Sequence, residues 1–285
     1  MNLHPALTAG RTAVITGAAS GVGLAAARRF AGLGLNVVMA DRDADSLDEA
    51  AAAVRAAAPG AEVVALAVDV AEFDQVAGLR DLTFGQFGDV AVLMNNAGVS
   101  GGGNAFQNRD GWDRVLGVNL GGVINGVQAF TQAMIDQNRP AAILNTGSKQ
   151  GITTPPGDTA YNVSKAGIKA LTEGLQHTLR ETPGCLVTAH LLIPGFTFTG
   201  MTRGAPDKPA GAWTASQVID FALERLTAGD FYILCPDNEV TRDIDNARIT
   251  WAAQDITHNR PPLSRWHPDW KAPFAEFLER QIPKS

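Results

Sequence analysis

The feature that most constrains this chain is a repeated alternation of two textures. Short runs of β-branched and other apolar residues are each followed by a longer Ala- and Leu-rich stretch with one polar side. Thr12–Thr16, Asn36–Ala40, Glu62–Val68, Val90–Met94, Ala141–Asn145, Leu186–Leu192 and Phe231–Leu234 read as strands. Val22–Leu33, Ser46–Ala57, Glu72–Phe84, a long region from Arg109 to Asp136, Thr159–Arg180 and Ser216–Leu226 read as helices. A strand that is apolar at nearly every position has to be covered on both faces. Alternation of such strands with helices requires βαβ units with right-handed crossovers. The expected fold is therefore α/β, a doubly wound parallel sheet in a single domain over residues 1–236.

Residues 237–285 change character. They hold Trp251, Trp266 and Trp270, and prolines at 261, 262, 268 and 273. This C-terminal extension is too apolar for a free tail. It is expected to carry a helix near Glu239–Ile256 and to pack on its own domain or on a neighbouring subunit.

Composition narrows the class. With 285 residues, 45% of them hydrophobic, the chain can bury a large core without staples. A net charge of −6 argues against a nucleic-acid or acidic-membrane partner. The two cysteines, Cys185 and Cys235, exclude a disulfide scaffold and a four-cysteine zinc site. No apolar run approaches the roughly 18 residues of a membrane span, and Met1–Gly10 has no signal-peptide pattern. Histidines at 4, 177, 190, 258 and 267 have no ligand spacing, so no metal site is expected. The expectation is a cytoplasmic protein that handles a small molecule.

The first strand runs into Thr16-Gly17-Ala18-Ala19-Ser20-Gly21-Val22-Gly23 and then a helix. Glycines there let the backbone turn tightly and approach a pyrophosphate, which the N–H groups and dipole of a helix N-terminus would hold. The spacing is Gly-x3-Gly-x-Gly, unlike the better-known Gly-x-Gly-x2-Gly. Alone, it also fits a glycine-rich turn that binds nothing. Asp41, closing the second strand, stands where an acid would bond the ribose hydroxyls of an adenosine. A carboxylate there repels a 2′-phosphate and favours NAD over NADP. Arg42 either offsets this by pairing with a phosphate or is a solvated loop charge.

Tyr161-Asn162-Val163-Ser164-Lys165 opens a predicted helix, and residues four apart share a face. An ammonium beside a phenol lowers its pKa toward the working range, and such a tyrosine exchanges a proton with an alcohol or ketone oxygen. The same pair could also be a surface polar contact. Ser148 ends the fifth strand, at the edge where parallel sheets form ligand crevices. Its hydroxyl either bonds a reacting oxygen or caps a turn. Asn119 sits inside a long helix, where Asn is a poor fit, so it marks a kink or a needed polar group.

With these motifs in order, the sequence resembles the classical short-chain dehydrogenases/reductases over about residues 8–236, and a Rossmann-like sheet is what that resemblance implies. It implies that Tyr161 is the acid/base, that Lys165 lowers its pKa and holds the nicotinamide ribose, and that Ser148 positions the substrate oxygen. Asn119 would hold a helix kink and a proton-relaying water. Gly17, Ser20, Gly21, Val22, Gly23, Asp41 and Arg42 would line the adenosine and phosphate end. Asp69 and Val70 would touch adenine, with Asn96, Ala97 and Gly98 beside its ribose. Pro194, Gly195, Thr197 and Thr199 would clamp the nicotinamide. Gln150, Phe196 and Met201 are candidate substrate contacts, with Phe198 and Trp213 nearby suggesting an apolar pocket. Lys149 is expected to be solvated, Gly101-Gly102-Gly103 to form a flexible loop, and Gly200–Trp213 to form a lid.

The function implied is hydride exchange between NAD and a secondary alcohol or ketone with an apolar or aromatic substituent. An NADPH-dependent ketone reductase and a non-catalytic nucleotide-binding regulator are the competing readings; a methyltransferase on a similar sheet would not need the Tyr161/Lys165 pair. Small residues on two long helices, among them Gly121, Gly122, Gly126 and Ala129, lie where the family packs its subunits. A homodimer or homotetramer is the expected assembly.

Overall fold

In a computed structural model, residues 3–200 and 207–282 are described. The chain opens with β1 (Thr12–Thr16), α1 (Gly21–Gly32), β2 (Asn36–Asp41), α2 (Ala44–Ala57), β3 (Val63–Ala67), α3 (Phe73–Phe87) and β4 (Val92–Asn95). It continues through α4 (Arg109–Val115), a π-helical turn (Leu116–Gly121), α5 (Gly122–Asp136), β5 (Ala141–Thr146), α6 (Gln150–Thr153), α7 (Thr159–Glu181) and β6 (Val187–Ile193). Then come β7 (Thr197–Phe198), β8 (Trp213–Thr214), α8 (Ala215–Thr227), β9 (Tyr232–Leu234), α9 (Arg242–Thr257), two 3-10 turns, and α10 (Lys271–Gln281).

The main sheet is parallel throughout, in the order β3-β2-β1-β4-β5-β6-β9. Alternation along each strand divides the core in two. Ala13, Ile15, Val37, Met39, Val92, Met94, Ala142 and Leu144 face a layer built from α1, α2 and α8, with Phe30, Leu47, Val54 and Leu226. Val14, Val38, Ala40, Leu93, Ala141 and Ile143 face the other layer, with Leu79, Phe130, Met134 and Leu179. The sheet order reverses direction at β1, between β2 and β4, which opens a crevice over the carboxyl ends of the central strands.

Three expectations about this frame are corrected. The long helix over 109–136 is interrupted at Leu116–Gly121 by a π-helical turn that carries Asn119. Gly122 and Gly126 do not lie on an outer face: a Cβ would stand 2.6 Å from Val70 Cγ2 at the first and 2.0 Å from Asn95 Oδ1 at the second. Together with buried Ala129 they seat α5 on its own sheet. The Gly101–Gly103 stretch is pinned, because Asp158 Oδ2 accepts from the N–H groups of Gly101 at 2.7 Å and Gly102 at 3.3 Å.

The extension folds back onto the chain. Buried Trp251 on α9 meets Trp270, Phe274 and Phe277 with ring centroids 6.2, 5.3 and 5.1 Å away, and the Arg260 guanidinium lies 3.8 Å over its ring. Its indole N–H donates to Ser264 Oγ at 2.7 Å, satisfying its one buried polar atom. No helix among the described residues is long and apolar enough to cross a membrane.

Candidate active site

A crevice of about 890 Å³ runs across the carboxyl ends of the strands, lined at one end by Gly17, Ser20, Gly21, Val22, Asp41 and Arg42 and at the other by Ser148, Tyr161, Lys165 and the 194–197 segment. The first end is built by two backbone demands. Gly17 and Gly21 hold φ of +67° and +55°, which side chains rarely adopt. At Gly23 a Cβ would fall 2.1 Å from the Gly17 carbonyl oxygen, so the turn closes only on hydrogen there. α1 then starts at Gly21 with Ser20 as N-cap but no side-chain cap, leaving its first-turn N–H groups for another partner. Asp41 ends β2 beside this turn, its Oδ2 accepting from Ala19 N at 3.1 Å and its Oδ1 from Asp43 N at 3.2 Å. Arg42 is exposed at the rim.

The middle of the crevice is stitched by asparagines. Asn96 Nδ2 donates to the Thr16 carbonyl at 3.0 Å, fastening the exit of β4 to the glycine turn. Asn119 is fully buried; its Oδ1 accepts from Val99 N at 2.7 Å, and its Nδ2 donates to Val99 O at 2.9 Å and Ser164 Oγ at 3.1 Å. The residue is thus both the irregularity and the polar group, tying the Gly98–Val99 backbone to α7. Asp69, Val70, Ala97 and Gly98 line the same stretch.

At the far end, α7 presents Tyr161 and Lys165 on one face, with Lys165 Nζ 5.6 Å from the phenol ring centroid. Lys165 is 4% exposed, and its ammonium donates to the Thr146 carbonyl at 2.8 Å. Burial drives its pKa down from 10.5 to about 8. For Tyr161 the expected direction is corrected: burial, the largest influence, raises its pKa, nearby Asp158 raises it further, and only a hydrogen bond with Ser148 opposes them. The lysine spacing put the ammonium on the right face but could not reveal how far both groups are withdrawn from water.

Thr197 is buried and its hydroxyl donates to Gly195 O at 3.2 Å, while Pro194, Gly195 and Thr199 line the crevice. Gln150 and Phe196 are exposed at its mouth. Trp213 is not part of this wall; it packs edge-on against Phe221 at 5.8 Å. Met201 and most of the first half of the suggested lid lie outside the described residues. Lys149, expected in solvent, instead lines the crevice with its side chain largely buried, its ammonium 2.6 Å from Asp245 Oδ2 and 3.3 Å from Asp237 Oδ2.

Asp158 was missed from sequence. Its Oδ1 caps α7 by accepting from Tyr161 N at 3.2 Å while its Oδ2 holds the glycine loop. An N-cap aspartate three residues before Tyr161 was a readable signal; its second duty was not.

Comparison with known proteins agrees with this geometry. A short chain dehydrogenase family model matches residues 11–210. The chain belongs to the short-chain dehydrogenase family. Within it, the chain is 34% identical over 276 residues to a 1-deoxy-11-beta-hydroxypentalenate dehydrogenase of Streptomyces exfoliatus, covering 93% of this chain and 96% of that one. A short-chain dehydrogenase/reductase from Burkholderia phymatum, solved in complex with NAD, superposes with a TM-score of 0.80 at 34% identity over 92% of this chain and 98% of that one. A metagenomic short-chain oxidoreductase solved in complex with NADP gives 0.67 at 27% identity, over 81% and 98%. This member of the short-chain dehydrogenases is an oxidoreductase acting on hydroxyl or keto groups.

Proposed function

We propose that this short-chain dehydrogenase exchanges hydride between NAD and a secondary alcohol or ketone bearing an apolar or aromatic group, with Tyr161 as the acid/base. The observation that carries the reading is the shared crevice, with the phosphate-turn geometry at one end and Tyr161, Ser148 and Lys165 at the other. The crevice fits a dinucleotide: the uncapped first turn of α1 and Gly17, Gly21 and Gly23 would hold the pyrophosphate, and Asp41 the adenosine ribose. Asp69, Val70, Asn96, Ala97 and Gly98 would flank the adenine half, and Pro194, Gly195, Thr197 and Thr199 the nicotinamide. When bound, the nicotinamide supplies or accepts the hydride.

The remaining work belongs to the chain. Ser148 orients the substrate oxygen by a hydrogen bond. Tyr161, kept protonated at neutral pH by its burial, donates a proton to a ketone oxygen as it becomes an alcohol. In the reverse direction Tyr161 must first lose that proton, so oxidation accelerates as pH rises. Lys165 places a cation beside the phenol ring and stabilises the phenolate formed on proton donation. Asn119 fixes the Gly98–Val99 backbone against α7, holding both catalytic side chains at a set distance from the cofactor cleft.

Phe196 at the mouth, with Val99 also in the lining, favours an apolar substituent. The carboxylate of Asp41 favours NAD; an enzyme that prefers NADPH would place Arg42 in its stead. Family likeness supports a homodimer or homotetramer in the cytoplasm, with residues 237–285 as an extension of a domain over residues 1–236. The decisive experiment is Tyr161→Phe. Turnover of a secondary alcohol, followed at the reduced-nicotinamide absorbance, should vanish while NAD binding by fluorescence quenching persists. Substantial turnover by the variant would refute the assignment.

A further inference from the structure

Lys149 follows Ser148 in sequence and also lines the crevice, while its ammonium meets carboxylates that do not. Its backbone N–H donates to Pro194 O at 3.3 Å, joining the turn after β5 to the turn after β6. Its ammonium lies between two carboxylates, Asp245 Oδ2 at 2.6 Å and Asp237 Oδ2 at 3.3 Å. The side chain of Lys149 is 17% exposed and both carboxylates are 5% exposed. Asp237 in turn accepts from Phe196 N at 3.3 Å through Oδ2 and from Val240 N at 2.7 Å through Oδ1. Asp245 stands on α9, in the C-terminal extension.

Packing is tight on the Gly195 side of this cluster. A Cβ on Gly195 would lie 2.7 Å from Asp237 Oδ2 and 2.9 Å from Lys149 Nζ. The 194–196 backbone therefore rests directly on the ion cluster, and its other side lines the redox end of the crevice. Neither carboxylate lines the crevice itself. Buried ion clusters are weak sources of net stability, but removing one partner leaves an uncompensated charge and a local rearrangement.

We propose that Lys149 is a positioning residue: clamped by Asp237 and Asp245, it locks the Ser148 turn and the Pro194–Phe196 turn together, so that helix α9 of the extension sets the geometry of the nicotinamide end. This rests on the dehydrogenase reading above, since it concerns how that reading's cofactor is held. The effect is confined to one half of the ligand. The glycine turn and Asp41, which would take the adenosine and phosphates, are at the opposite end and share no contact with the cluster.

The test compares NAD with ADP-ribose, which has the same adenosine diphosphate and ribose but lacks nicotinamide. Dissociation constants for both are measured by calorimetry on the full-length wild type, Lys149→Met and Asp245→Asn. Asp245→Asn keeps the shape of the side chain and remains informative if Lys149→Met folds poorly. Both variants should weaken NAD at least tenfold while ADP-ribose stays within about twofold of wild type. A merely structural cluster would weaken the two nucleotides together; that result, or no change in either, overturns the inference and leaves the dehydrogenase reading standing. A wild-type protein that binds neither nucleotide overturns both.

Discussion

Replacing Lys165 with methionine keeps the length of the side chain and removes its charge. Lys165 is buried; among the described residues it pairs with no carboxylate, and its ammonium donates to the Thr146 carbonyl. Burial takes its pKa from 10.5 to about 8, and each pKa unit corresponds to about 1.36 kcal/mol. Keeping this lysine charged in the native protein at neutral pH therefore costs about 3 kcal/mol. The direction with pH follows from proton counting. Between pH 8 and 10.5 the unfolded chain holds a proton that the native chain has lost, so native stability rises with pH across that window. It is at its lowest, as far as this group is concerned, below pH 8. Against the gain, Lys165→Met strands the Thr146 carbonyl, at a cost of about 1–3 kcal/mol. At pH 7 the variant should therefore be as stable as wild type or up to about 2 kcal/mol more stable, although it is inactive. Urea unfolding of both proteins at intervals from pH 7 to 10.5 isolates the effect, because the other titrating groups cancel in the difference. Wild type should gain about 3 kcal/mol on the variant over that range. Parallel stability curves would refute the argument that Lys165 is held in place against the cost of its own burial.

Two further outcomes follow from other sites. Asp41→Ala removes the carboxylate beside the glycine turn, and the ratio of kcat/KM for NAD over that for NADP should fall by about tenfold, as one screened charge repulsion is lost; an unchanged ratio would show that Asp41 does not read the ribose. Asp89 accepts from buried Arg11 Nε at 2.7 Å and from Arg139 at 3.0 Å beneath the sheet, far from the crevice; Asp89→Ala should cost about 3–5 kcal/mol in denaturant unfolding, because the Arg11 charge is left buried alone.

What could be read from sequence was whatever lies within one turn, one helix or one strand end. The glycine turn, Ser148 at the end of β5 and the Tyr161/Lys165 spacing are local patterns, and they meet in one crevice. Strand alternation was equally legible, since apolar Val14 and Ile15 feed opposite core layers from adjacent positions. Burial was not legible: the four-residue spacing of Tyr161 and Lys165 fixes a shared face but says nothing of what covers it, which is why the direction for Tyr161 came out opposite. Long-range pairing was hidden too. Lys149 meets Asp237 across 88 residues, and Asp158 meets Gly101 across 57, with no periodicity to join them. Helix α10 escaped because Pro273 stands inside it; the proline falls in the first turn, where its missing N–H has no helical partner to lose.

The π-helical turn at Leu116–Gly121 holds one residue more than an α-helical turn would. Deleting a single position there would therefore close it into regular helix, leaving α4 and α5 in phase and Gly126 and Phe130 still seated against the sheet. What such a deletion would remove is the bulge that carries Asn119 to Val99 and Ser164. A deletion on either side of the turn has no such reserve: a regular helix advances about 100° per residue, and everything downstream would swing by more than a quarter of a revolution.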